Sequence, residues 1–145
     1  MLTATESWDG AALASLIAGA TLLGTDLKCG LYVNSIAPTK KLAIGDLVEP
    51  TFTGYARQLV VMGPVFRDPI NGISSIAGAL NWQMTGTPVP SIIIGVFYTY
   101  GAGPALLGID PFPQPVALND DLDAFQTALQ YIQSSQLQGF TTLLS

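Results

Sequence analysis

The sequence predicts an all-β domain, an antiparallel β-sandwich or barrel-like fold with a short N-terminal helix. Three observations predict it. Short runs rich in β-branched and aromatic residues recur with turn residues at spacings of roughly 8–12 residues. Asn71-Gly72 is a strong hairpin signal, because both residues tolerate positive φ. Residues 91–100 contain Ile92, Ile93, Ile94, Val96, Phe97, Tyr98 and Tyr100, which makes that strand apolar on both faces, as a central, doubly covered strand would be.

In chain order, residues 11–24 form a small, apolar segment. Leu13, Leu16 and Ile17 stand at i, i+3 and i+4 and predict a short helix that ends at Gly19 or Gly24. Thr3-x-x-Glu6 has the capping-box pattern, although it lies early for that helix. Residues 27–34 read as a strand with Leu27, Cys29, Leu31 and Val33 on one face. Residues 37–41 are a loop. Residues 52–62 have strand composition, and Met62-Gly63-Pro64 marks a bend or bulge. The hairpin at residues 68–72 separates a strand ending near Arg67 from one starting at Ile73. In the latter, Ile76, Gly78, Leu80 and Trp82 share a face, so Trp82 is expected in the core. Two further strands are expected at residues 105–109 and 114–118. Residues 120–133 satisfy both a helical spacing (Leu122, Phe125, Leu129, Ile132) and a strand alternation (Phe125, Thr127, Leu129, Tyr131), and periodicity alone leaves the two open.

The 145 residues suit a single domain, 1–145, with a helical arm at 1–26 and a C-terminal tail at 134–145. Charged residues make up 10%, well below the roughly 25% of average soluble domains. The mean hydropathy of +0.45 raises the question of a membrane span. Residues 10–25 fall short of the ~20 apolar residues a spanning helix needs. Residues 85–109 are long enough but carry Pro88, Pro90 and Pro104, whose lost hydrogen bonds lipid cannot replace. No membrane partner is therefore expected. A secretory leader is not expected either, since residues 1–9 contain Glu6 and Asp9 and no Lys or Arg. The low charge reads as surface given over to interfaces, and hence to a homo-oligomer. The alternative is a monomer with an uncharged Ser/Thr/Gln surface.

The chemistry the chain lacks is as informative. It has no histidine and one cysteine, Cys29, which removes histidine-based triads, imidazole acid–base work and thiolate metal clusters. Cys29 lies in an apolar strand and reads as an inert buried thiol. The cations Lys28, Lys40, Lys41, Arg57 and Arg67 form no basic footprint for nucleic acid. Gly101-x-Gly103 precedes a proline and a strand, so it reads as a tight turn and not a phosphate loop. Asp120, Asp121 and Asp123 lie in one exposed loop and read as capping or solvated carboxylates ahead of calcium ligands. No catalytic residue, cofactor or metal is expected. Residues 52–57, with Gly54, Tyr55 and Arg57, read as a structural corner ahead of a glycan or partner contact, with Asp46 or Glu49 as the pair for Arg57. The uncharged tail carries Leu137, Phe140, Leu143 and Leu144. These four, with Tyr55 and Arg57, are the candidate interface residues.

The order Leu31-Tyr32-Val33-Asn34, Pro38, Asp46-Leu47-x-Glu49-x-x-Phe52-x-Gly54-Tyr55-Ala56-Arg57, Asp68 before Gly72, Gly95-Val96-Phe97 and Leu106-Leu107-Gly108 resembles the small β-sandwich decoration, or cement, proteins of tailed phages. The resemblance covers residues 27–131. It implies a trimeric or otherwise oligomeric sandwich bound to the major capsid protein. Such a chain sits on the capsid surface of a virion assembled in the host cytoplasm. It also implies that residues 120–133 form a closing strand. It carries over no catalytic residues. Three rivals stand beside it: a tail- or spike-associated adaptor, a carbohydrate-binding module using Trp8, Tyr32 or Tyr55, and an enzyme limited to Asp, Glu and Tyr.

Overall fold

The computed structural model describes residues 1–18, 26–68, 72–101, 105–133 and 138–145. The fold is all-β, and among the described residues it has two five-stranded antiparallel sheets and one α-helix. The first sheet has the order β1 (Thr3–Ala4), β8 (Ala105–Leu118), β7 (Ser91–Tyr100), β2 (Lys28–Tyr32), β3 (Gln58–Leu59). The second has the order β10 (Gln138–Leu144), β9 (Ala124–Gln133), β5 (Gly72–Ile76), β4 (Phe66–Asp68), with β6 (Leu80–Gln83) also paired to β9. The inner faces meet in a core that includes Leu31, Trp82, Met84, Ile93, Val96, Leu107, Phe125 and Leu129.

Strand β7 lies at the centre of its sheet, where its composition places it. It is covered on both faces, with Ile93, Val96 and Tyr98 in the main core and Phe97 in a second cluster with Tyr32, Leu106 and Ile109. The loop that follows β2 folds over this second cluster through Ile36, Leu42, Ile44 and Leu47. A 3-10 turn at Ile44–Asp46 shapes the loop, and the Asp46 carboxylate accepts from the Ala43 N–H at 2.9 Å.

Hydrogen bonds tie the two sheets together at both sides. On one side the Leu2 N–H donates to Phe140 O at 2.8 Å, and the Thr142 N–H donates to the buried Asp110 carboxylate at 2.8 Å. Gly108 makes that junction possible, because a Cβ there would lie 2.1 Å from Thr3 O. On the other side the segment after β3 crosses between the sheets. Val60 N–H donates to Leu27 O, and Gly78 N–H donates to Val61 O. The molecule is therefore a sandwich with barrel-like closure.

Several expectations shift. Helix α1 runs Glu6–Ala18, earlier than residues 11–24. Its cap is Thr5, not Thr3: Trp8 N–H donates to Thr5 Oγ1 at 3.2 Å, while Thr3 belongs to β1. Acidic Glu6 and Asp9 suit the positive end of the helix. The stop signals Gly19 and Gly24 lie outside the described residues, as do the turn residues 69–71 and 102–104. Within residues 52–62 only Gln58–Leu59 is strand, and residues 52–57 form a corner instead.

Ile76 does not share a face with Trp82. Ile76 faces Gln130 and Leu80 faces Thr127, so four steps on one strand (80 − 76) meet three on β9 (130 − 127). The extra residue inverts the alternation, turning Ser75 and Ala77 inward before it and Trp82 and Met84 inward after it. The two strands expected at residues 105–109 and 114–118 are one strand, β8. Its ladder to β7 breaks between Ile93 and Gly95, opposite residues 112–115, so Pro113 and Pro115 cost no ladder bonds. Residues 124–133 are strand, as the resemblance implies. The expected hairpin arms pair as β4 and β5, with Asp68 opposite Gly72.

Candidate functional site

The corner at residues 52–57 is built by Gly54. It has φ +98°, and a Cβ there would lie 2.7 Å from Gln83 O, so the turn requires glycine on both counts. The turn directs the Tyr55 ring inward, edge-on to Phe52 at 5.7 Å and stacked on Trp82 at 6.0 Å. The Tyr55 hydroxyl accepts from Leu31 N–H at 3.1 Å and donates to the Glu49 carboxylate. Arg57 completes the group: its Nη2 donates to Glu49 Oε1 at 2.6 Å, and its guanidinium lies 5.2 Å from the Phe97 ring centre.

Electrostatics follow from this geometry. Partial burial works to raise the Glu49 carboxyl, but hydrogen bonds from Arg57 and Tyr55 outweigh it and hold the group below the usual carboxylate range. The Glu49 hydrogen bond likewise raises Arg57. Burial, then the adjacent Glu49 carboxylate, push the Tyr55 phenol well above its ordinary value. Tyr55 therefore stays protonated and is no general base near neutral pH. Glu49 is the pair for Arg57, one of the two acids expected.

The acidic cluster is also turn chemistry. Asp123 accepts from Asn119 N–H at 2.8 Å and Asp120 N–H at 2.9 Å, and these bonds lower its carboxyl. Asp121 accepts from Gly86 N–H at 2.9 Å. Among the described residues no group of three or more His, Cys, Asp or Glu is placed to hold a metal ion. Cys29 is fully buried, and burial pushes its thiol up. Among the described residues, no helix is long and apolar enough to cross a membrane.

The aromatic side chains proposed for a glycan platform do not form one. Tyr32 is fully buried, and Tyr55 packs on Trp82. Trp8 packs edge-on against Tyr100 at 5.1 Å and Phe140 at 6.4 Å.

The tail residues separate. Leu137 lies outside the described residues. Phe140 is a core residue, 8% exposed and opposite Tyr131 in the β10–β9 ladder, so it offers no contact surface. Leu143 and Leu144 are exposed. Tyr55 and Arg57 meet each other at Glu49; among the described residues no hydrogen bond or ring contact joins them to Leu143 or Leu144.

Asp110 is a structural residue that sequence reasoning passed over. It is 7% exposed and joins β8 to β10 through Thr142 N–H. A lone acid closing the apolar run Leu106-Leu107-Gly108-Ile109 was its signal. The Tyr32 hydroxyl is buried with no hydrogen-bond partner among the described residues. Burial, with the nearby Asp110 charge, pushes its phenol up to about 12.

These features define an all-β domain in which Glu49, Tyr55, Arg57, Asp110, Asp121 and Asp123 bond to the chain itself. Comparison with protein-family models, curated proteins and solved structures gives no match.

Proposed function

We propose that the chain is a non-catalytic structural subunit of a phage virion, a decoration protein that binds the major capsid protein and its own copies. The observation that carries this reading is the surface. In a chain with 10% charged residues, Leu13, Ile17, Leu59, Val61, Val65, Phe66 and Ile92 are all exposed large apolar side chains. Such a surface gains by being covered. The all-β sandwich with a closing strand at Ala124–Gln133 is the architecture that the family resemblance implies. The mechanism is mechanical: each copy adds buried area across capsid subunits, and repetition on the shell adds avidity.

The test is location. Virions produced from the genome that encodes this chain are purified, and capsids are separated from tails. Quantitative mass spectrometry is expected to find the chain in the capsid fraction at a fixed ratio to the major capsid protein. Recovery only with tails transfers it to the adaptor reading. Absence from particles overturns the proposal.

A further inference from the structure

The strand edges of this molecule are not equivalent. The outer side of β10 is occupied by Leu2 N–H on Phe140 O and by Asp110 on Thr142 N–H. Beside β6, Gln58 Nε2 donates to Asn81 O, and Thr85 N–H just beyond it donates to Thr53 O. The segment after β3 is bonded to Leu27 on one side and Gly78 on the other. Strand β4 differs. It pairs with β5 through Phe66–Ser74, Arg67–Ile73 and Asp68–Gly72, and among the described residues nothing pairs with its other side. Its neighbours are apolar and open to solvent: Val65 is 70% exposed, Val61 66%, Ile73 48% and Phe66 42%.

We propose that β4 is a self-association edge, pairing antiparallel with β4 of a second copy across a two-fold axis. The occupant follows from three features. An unpaired strand edge is completed by another strand; the side of β8 beyond Ile109 is also unpaired among the described residues, but Pro111, Pro113 and Pro115 remove its N–H donors, which leaves β4 to pair with its own copy. A two-fold axis perpendicular to the sheet keeps each face on its own side, so residues of equal parity stand opposite one another. One such register places Phe66 against its counterpart and Val65 against Arg67 of the second copy. Of the two neighbouring registers, one would set Arg67 against Arg67, which like charge disfavours, and the other would set Pro64, which has no N–H, against Phe66. Residues 58–66 carry no charge, and Arg67 is followed by Asp68, so the edge presents no net charge to itself.

Two further features make the contact finite. Pro64 has no N–H to offer. The partner register also slips between the Met62–Ala77 bridge and the Phe66–Ser74 pair. Pairing therefore stops after a few residues. A two-fold contact uses up both open edges, so assembly closes at a dimer instead of growing into a fibre. This inference deepens the self-association part of the proposed function. It is tested on the purified chain, so its failure leaves the particle test untouched.

The experiment uses the full chain and three variants. Sedimentation of the unaltered protein at tens of micromolar is expected to give twice 15.2 kDa. Phe66→Cys places two thiols on directly opposed residues, whose Cα separation of about 4.5–5.5 Å suits a disulfide. Under mild oxidation it is expected to give at least tenfold more covalent dimer than Leu13→Cys, a more exposed control on α1. Native Cys29 is buried and stays out of the reaction. Val65→Lys is expected to keep the circular dichroism spectrum and sediment as a monomer; it also serves if Phe66→Cys does not fold. A monomeric unaltered chain overturns the proposal. So does equal cross-linking by Leu13→Cys, or an oligomer that Val65→Lys leaves intact.

Discussion

The outer face of the first sheet and the open edge of the second show two treatments of the same kind of surface. Both present large apolar side chains. On the first sheet the chain covers them itself: the loop carrying Ile36, Leu42, Ile44 and Leu47 lies over Tyr32, Phe97, Leu106 and Ile109. Arg57 adds its guanidinium over the Phe97 ring. At the β4 edge Val65, Phe66 and Ile73 remain exposed. The difference teaches that apolar content alone does not distinguish core from interface. What distinguishes them is whether the same chain supplies a cover.

Breaking the self-made closure should have the largest effect. Deleting residues 138–145 removes β10, takes Phe140 from the core and leaves β9 unpaired along one side. The expected outcome is loss of cooperative unfolding by circular dichroism. A truncated chain that still melts in one sharp transition would show that β10 is an accessory strand. Phe97→Ala opens a cavity under the covering loop and should cost about 3–5 kcal/mol in urea unfolding. The contrasting change at the open edge, Phe66→Ser, should cost the monomer less, about 1 kcal/mol, since the side chain is already 42% exposed.

The corner that carries Arg57 comes next. Tyr55→Phe leaves Leu31 N–H without its acceptor and removes one donor from Glu49, at a cost of about 2 kcal/mol. The same group sets an acid sensitivity. The Glu49 carboxyl is lowered in the folded state, so its contribution is fully present above its unfolded pKa of about 4.3. That contribution is lost as pH falls through the lower folded value. Stability should therefore decline below about pH 4, and Glu49→Gln should flatten that limb of the curve while lowering stability at neutral pH. An unchanged acid limb in Glu49→Gln would assign the effect to other carboxylates, Asp123 among them.

The smallest effect is expected where the first sheet's cover is imperfect. Tyr32 buries a hydroxyl with no hydrogen-bond partner among the described residues. Tyr32→Phe should be neutral or stabilising by up to about 1 kcal/mol, because an unpaired buried hydroxyl is a cost and not a contact. A loss above 1 kcal/mol in thermal or urea unfolding would mean that the hydroxyl has a partner, such as a buried water. Two tyrosines, one packed against the main core and one in the second cluster, thus give opposite results for the same atom removed.

Much of the architecture was legible in local pattern. The double apolar face of residues 91–100 is a property of the side chains themselves, and no arrangement buries it except a central strand covered on both sides. Asn71-Gly72 and its flanks likewise specify paired arms, and those arms are β4 and β5. Trp82 was readable as core and the corner at Tyr55 as structural, because a large amphipathic ring in a sheet protein needs both packing and a bonded hydroxyl.

Other features depended on what lies far away in the chain. The face of Ile76 was decided by one extra residue opposite β9, about fifty positions later. The helix began at Thr5 because its hydroxyl also donates to Leu106 O at 2.6 Å, a partner that no local pattern contains. Phe140 looked like a free apolar tail, and became core only because β9 and Leu2 lie beside it. Propensity and periodicity describe what a segment can do with its own residues. Register, edge closure and the choice between core and interface are set by which other segment arrives, and only the tertiary structure supplies that.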